Sequence, residues 1–221
     1  LKLIPTKNNN KFICKFKSNN IKHVLFSYSV KIHHGKVLSN NFYEPFSKSK
    51  ITHLIGSALF AYPSTVSDTA TINVVFKKQN TNNTSLYSSN CKSIICKNEF
   101  NVSGLKALKE SLYFFTNSSP VNINTETNPI FLFIPNIPNK KKYIATIKTA
   151  TLYIKNYWQA KTISPYLMNI TVFDSTDQGI SYKGTCFDSG ITFGFTKNMG
   201  SNSILLKHLF IHELCHNWIG I

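Results

Sequence analysis

The chain has 221 residues, of which 42% are hydrophobic and 13% aromatic, enough to bury a core in one large domain or two small ones. This composition excludes an intrinsically disordered chain. The formal net charge is +16, yet all 25 basic residues are lysine and arginine is absent. Because base and phosphate recognition draws on the guanidinium fork of arginine, no specific nucleic-acid partner is expected. A general basic module for anionic surfaces or nucleic acid stays open as an alternative.

Five cysteines at irregular spacings do not resemble the disulfide framework of a secreted domain, which favours a reducing compartment such as the cytoplasm. For Cys91 and Cys96, both a closed loop and a metal-binding pair are open. The longest apolar run, residues 54–62, is far shorter than the roughly twenty residues that span a bilayer, so no membrane segment is expected. The opening residues do not form a signal peptide, and whether one lies upstream is left open.

The first half of the chain has the composition of β-strands. Segments rich in β-branched and aromatic residues, separated by polar stretches, predict strands at residues 11–17, 24–30 and 71–76. A polar loop is expected at 80–90 and a short helix within 102–111, followed by strands at 112–115 and 130–134. Residues 1–136 are therefore predicted to form an N-terminal antiparallel β-domain.

The pattern changes after Pro135 and Pro138, because two closely spaced prolines end a strand. Beyond them an amphipathic helix is predicted over residues 141–159. Its apolar stripe consists of Tyr143, Ile147, Ala150, Ile154 and Trp158. Residues 167–173 are predicted to be a strand, and residues 181–195 an edge strand and turn that precede a final helix. Together these elements indicate an α+β fold.

The final helix contains H-E-L-C-H at residues 212–216. Histidines at i and i+4 lie on one helix face, so His212 and His216 can bind a single Zn²⁺ through their imidazoles. Glu213 then projects toward the open side of the metal, where it can act as the general base. Cys215 is interpreted as a small apolar core residue. The same motif also occurs by chance in amphipathic helices.

The following residues extend this motif to H-E-x-x-H-x-W-x-G over residues 212–220, which resembles the gluzincin aminopeptidases. Two branches fit: the aminopeptidase N type, and the glycyl aminopeptidase type, whose catalytic domain is often followed by a PDZ domain. The first branch carries a G-x-M-E-N motif that binds the substrate's free amine. Because this chain lacks that motif, the glycyl aminopeptidase branch is the better match.

The resemblance implies an N-terminal β-domain followed by a thermolysin-like zincin catalytic domain, whose first part would be residues 137–221. In this family the strand ahead of the metal helix pairs with the substrate backbone, which assigns substrate binding to Gly184 and Thr185. The alternative is an ordinary edge strand. A peptide or protein is thus the expected substrate, with Glu213 as catalytic residue and His212 and His216 as zinc ligands.

The family's third zinc ligand is a glutamate about twenty residues beyond the second histidine, which here falls past Ile221. His208 does not replace it, since eight helical residues span about 12 Å. Asp174 and Asp188 are possible through folding, but no spacing favours them. We therefore expect the chain to be an N-terminal fragment of a zinc metallopeptidase, nearly inactive alone. The alternative is a peptide-binding pseudoenzyme.

Overall fold

The structure is a computed structural model that describes residues 2–5, 12–15, 27–62, 67–77, 84–91, 95–125, 128–159, 166–174, 180–187, 190–199 and 203–216. The chain divides into two compact units, Leu1–Val30 and Lys31–Ile221. In the first unit, β1 (Lys2–Pro5) pairs antiparallel with β2 (Phe12–Lys15), which confirms the strand predicted at 11–17. Residues 27–30 form no strand, and residues 24–26 of the strand predicted at 24–30 lie outside the described residues.

The second unit contains the remaining strands and all four described α-helices. In chain order its elements are β3 (His33–His34), a 3-10 turn (Ser39–Asn41), β4 (Phe46–Lys48), β5 (Ile51–Ile55), α1 (Gly56–Leu59), β6 (Thr71–Val75), β7 (Ser85–Ser88), β8 (Ile95–Cys96), β9 (Glu99–Ser103), α2 (Gly104–Lys109), β10 (Leu112–Thr116), β11 (Val121–Thr125), β12 (Asn128–Phe133), α3 (Lys140–Tyr157), β13 (Tyr166–Phe173), β14 (Tyr182–Phe187), β15 (Gly190–Thr196) and α4 (Ser203–Cys215).

Six strands form a sheet in the spatial order β3-β4-β5-β10-β7-β8. The pair β3 and β4 is parallel, and the other neighbours are antiparallel. Strands β6 and β9 form a separate antiparallel pair. The strands predicted at 71–76 and 112–115 and the helix within 102–111 are confirmed. The loop predicted at 80–90 is wrong for Ser85–Ser88, because pairing with β10 buries this polar segment.

Five strands form a second sheet in the order β11-β12-β13-β15-β14. Strands β12, β13 and β15 are mutually parallel, whereas β11 and β14 pair antiparallel at the two edges. Every residue of β13 and β15 is buried, as expected for central strands covered on both faces. Strands β11 and β12 precede residue 136, so this sheet includes residues from both sides of the predicted boundary. The division into domains 1–136 and 137–221 stays a prediction.

The five-stranded sheet is the middle of three layers. One face packs against α3 and α4 through a cluster that includes Ile147, Phe193 and Phe210. The other face packs against the six-stranded sheet through Phe114, Phe133 and neighbouring side chains. These layers give the α+β class that the sequence predicts. No described helix has the length and apolar character needed to cross a bilayer.

Helix α3 confirms the amphipathic pattern predicted over residues 141–159. Tyr143, Ile147, Ala150 and Ile154 are all buried against the sheet. Trp158 is an exception, because the helix ends at Tyr157 and the indole ring is 36% exposed. The strands predicted at 130–134 and 167–173 are likewise confirmed. Residues 181–195 form two strands, of which β14 is the edge strand.

Asp174, which follows β13, ties the two sheets together. Its carboxylate accepts hydrogen bonds from the Val37 backbone N–H at 2.8 Å and from the Lys48 ammonium, which also donates to the Val172 carbonyl. Burial raises the pKa of Asp174, but the hydrogen bonds from Lys48 and Val37 and the charges of Lys48 and Lys197 outweigh this effect and lower it. The carboxylate therefore stabilises the fold through its hydrogen bonds with Val37 and Lys48.

Cys91 and Cys96 form a disulfide next to the buried ring of Tyr113. Of the two alternatives that their spacing left open, the structure has the closed loop. Disulfides are rare in reducing compartments, so this pair weighs against the compartment favoured by the cysteine count. Cys186 and Cys215 lie outside this disulfide, and Cys215 packs against the core around α4 as its apolar interpretation predicts.

Candidate active site

Helix α4 carries the H-E-x-x-H motif and lies against the five-stranded sheet. Its segment SILLKHLFIHELC contains neither glycine nor proline and is rich in leucine, which favours a helix. Its buried side chains recur every three or four residues: Leu206, Leu209, Phe210, Glu213 and Leu214. Phe210 packs edge-on against Phe193 of β15, with the ring centroids 4.1 Å apart. This packing fixes the rotation of the helix and thereby the direction of the motif's side chains.

One helical turn brings His212 and His216 together. Their Nε2 atoms are 3.3 Å apart, and the two rings meet at 88°. Two nitrogens bound to a tetrahedral Zn²⁺ at about 2.0–2.1 Å would be separated by about 3.3–3.4 Å, so the pair fits two positions around that ion. The same distance also allows one neutral imidazole to donate its N–H to the other.

A third ligand is not found among the described residues, where no group of three or more His, Cys, Asp or Glu side chains could hold a metal ion. His208 lines the cleft beside His212 but adds no such group. Asp174 is engaged with Lys48 and Val37. Asp188 lies outside the described residues, as do residues 217–221, which carry the W-x-G part of the extended motif.

Glu213 faces the sheet and is only 8% exposed. Burial raises the pKa of its carboxyl, while the neighbouring His212 and His216 act in the opposite direction. Gly184 of β14 covers this side chain: a Cβ atom added there would lie 2.5 Å from Cγ, Cδ and Oε1 of Glu213. Any larger residue at this position would therefore require the Glu213 side chain to move.

Successive residues of β14 direct their backbone N–H and C=O groups alternately toward the neighbouring strand β15 and toward the open edge of the sheet. The Thr196 N–H donates to the Ser181 carbonyl at 2.9 Å, so Ser181 and every second residue after it face β15. Thr185 therefore directs its backbone groups toward β15, whereas Gly184 presents its own at the open edge. Of the two residues predicted to pair with a substrate backbone, only Gly184 has its peptide groups in position to do so.

Helix α4 and strand β14 border a cleft of about 470 Å³. It is lined by apolar, aromatic and ionisable side chains: Tyr182, Lys183, Gly184, Met199, Leu205, His208, Leu209, His212 and Glu213. Polar and ionisable groups make up much of this lining, and convergent groups of this kind fix the orientation of a bound ligand. Glu213, the predicted base, and His212, one of the two predicted zinc ligands, thus line the same cleft as residues 182–184 of the edge strand β14.

Tyr43 also reaches this site, and sequence analysis missed it. Its hydroxyl donates to the Gly184 carbonyl oxygen at 3.1 Å across a separation of 141 residues. Burial and the charge of Glu213 raise the pKa of the phenol, which keeps it a neutral donor. The Lys183 ammonium lies 5.6 Å from the centre of the ring. No local sequence pattern signals a contact between two segments so far apart.

No protein-family model matches the chain, and no curated protein matches it in sequence. Among solved structures it is similar to an aminopeptidase N family protein from Idiomarina loihiensis, with a TM-score of 0.57 and 8% sequence identity. The match covers 76% of this chain and 31% of that protein, so the chain spans less than a third of the matched structure. At this identity the likeness shows a shared fold, one that a peptidase family uses.

Proposed function

We propose that the chain carries the metal helix and the substrate strand of a zinc-dependent metallopeptidase of the gluzincin type. The observation that carries this proposal is the 3.3 Å separation of the His212 and His216 Nε2 atoms on a helix that also buries Glu213. Catalytic zinc sites use three protein ligands and keep one position open. The third ligand would be the family's glutamate, about twenty residues beyond His216.

When bound, zinc would supply a Lewis acid for the scissile carbonyl and lower the pKa of the attacking water. Glu213 accepts a proton from that water and delivers it to the leaving amine. Its burial beneath Gly184 suits this role, because a desolvated carboxylate holds a proton more readily than an exposed one. The open edge of β14 aligns the peptide backbone beside Glu213 through hydrogen bonds.

A peptide-binding pseudoenzyme is the second candidate. The observation that favours it is that the described residues bring two candidate metal ligands together but contain no group of three. Such a protein would bind peptides along β14 and in the cleft, would bind zinc weakly, and would not hydrolyse its ligand. The two candidates therefore differ in catalysis and in zinc affinity.

Glu213→Gln in the native protein that contains these residues separates the candidates. We expect it to keep zinc and fold while peptide hydrolysis falls by about 10²- to 10⁴-fold. Glu99→Gln, at an exposed glutamate of β9, is the matched control and should keep full activity. Retained activity in Glu213→Gln would contradict the role of base, and loss of zinc would make Glu213 a ligand. Failure of the unaltered protein to cleave any peptide in a diverse library would favour the pseudoenzyme.

A further inference from the structure

Tyr43 covers part of the open edge of β14, and its backbone is held in place by the buried residue before it. The preceding residue, Phe42, is fully buried and packs edge-on against Phe173, with ring centroids 5.5 Å apart. The Tyr43 side chain is 45% exposed and contacts the Phe42 ring at 5.3 Å. The backbone is thus fixed by its neighbour, while the phenol ring has solvent into which it can rotate about χ1.

Tyr43 occupies the backbone carbonyl of Gly184, an acceptor that a bound peptide would use. Its hydroxyl donates to the carbonyl of Gly184, the residue at which an added Cβ atom would lie 2.5 Å from the Glu213 side chain. By the alternation of β14, this carbonyl points away from β15 and is an acceptor for the backbone N–H of an added strand. A strand paired at this position would therefore donate to an oxygen that already accepts from Tyr43, and the two donors compete for the space beside it.

We propose that Tyr43 is a gate on the substrate edge, whose hydroxyl must leave the Gly184 carbonyl before a peptide can pair beside Glu213. The inference rests on the proposed function, since it takes β14 as the strand that receives the peptide. A backbone N–H replaces the phenol as the donor, so pairing exchanges one hydrogen bond for another. The covered edge consequently binds peptides more weakly than an uncovered one.

The test is peptide affinity in the absence of metal, so that no cleavage occurs. The chelator-treated chain is titrated with a fluorescein-labelled hexapeptide of alanine and serine, and binding is followed by fluorescence anisotropy. Tyr43→Phe removes the hydroxyl and keeps the ring. Because a peptide then need not displace the hydrogen bond from Tyr43 to the Gly184 carbonyl, binding should tighten by about fivefold, the effect of one hydrogen bond. Tyr153→Phe alters an exposed tyrosine of α3 and should leave the affinity unchanged.

A second readout follows the ring itself. With 3-fluorotyrosine placed at position 43, the fluorine resonance should move toward its value in the urea-unfolded chain as the hexapeptide saturates the protein. Equal or weaker binding by Tyr43→Phe, or a resonance unmoved at saturation, would overturn the gate, and so would a peptide that binds neither protein. Zinc uptake by the native protein is measured separately. A gate that works in a protein without zinc would refute the proposed function and leave the gate standing.

Discussion

His53 makes the stability of the fold sensitive to acid. It is fully buried, with its ring stacked on those of Phe42 and Phe46 and tilted against that of Phe114. Neither ring nitrogen has a hydrogen-bond partner in the part of the chain that the structure describes. Burial lowers the pKa of His53 from 6.5 to about 3, because the aromatic surroundings cannot hydrate an imidazolium.

The sign and size of the effect follow from the two protonation states. Below about pH 6.5 the unfolded chain binds a proton at this ring, whereas the folded chain does not until about pH 3. Acid therefore favours unfolding, and the stability contributed by neutral His53 is present above pH 6.5 and lost as the pH falls toward 3. At about 1.4 kcal/mol per pH unit, the change from pH 6.5 to 5 removes about 2 kcal/mol.

Urea denaturation between pH 7 and pH 5 measures this loss. His53→Phe keeps a ring in the stack and removes both nitrogens, so its unfolding free energy should fall by about 1.4 kcal/mol less per pH unit than that of the wild type below pH 6.5. His34→Phe, at an exposed histidine of β3, should retain the wild-type slope. Equal slopes in the wild type and His53→Phe would refute the argument that a buried neutral imidazole sets the acid response.

Three further predictions concern close contacts. Gly184→Ala places a methyl group 2.5 Å from the Glu213 carboxylate, so hydrolysis by the native protein should fall at least about tenfold with unchanged circular dichroism, and full activity would contradict the contact. Gly194→Ala instead places its methyl 2.3 Å from an aromatic ring of β13 and should lower the unfolding free energy by about 1–3 kcal/mol, whereas an unchanged urea midpoint would contradict that packing. Asp174→Asn weakens the bond from Lys48 and should cost about 1 kcal/mol at pH 7. Because the pKa of Asp174 is lowered in the fold, the stability that its carboxylate contributes is present above pH 3.8 and is lost as the pH falls below that value. The urea midpoints of Asp174→Asn and the wild type should therefore converge at low pH. A difference that stays constant with pH would contradict this.

Local patterns predicted the elements whose buried face is set by spacing along the chain. The stripe of α3 and the apolar residues of α4 identify both helices, and the motif at residues 212–216 identifies the histidine pair. Strand β7 was missed because its sequence, SLYS, is polar at both ends and is buried through its pairing with β10. Its environment is set by a partner strand distant in sequence.

The least predictable parts of the site depend on contacts between distant segments. The pairing of Tyr43 with Gly184 joins residues far apart in the chain, and only the packing of the two sheets brings them together. The need for glycine at position 184 comes from Glu213 on another element, which no β-strand pattern reveals. His53 has a polar side chain in a fully buried position, where hydropathy does not predict it.

Zinc content tests the central claim most directly. The native protein that contains these residues should carry about one zinc ion per chain by elemental analysis after purification without added metal. His216→Ala should reduce this content to near zero, whereas His208→Ala, at an exposed histidine one turn before the pair, should leave it unchanged. Zinc retained in His216→Ala, or lost equally in His208→Ala, would contradict the assignment of His212 and His216 as the metal-binding pair.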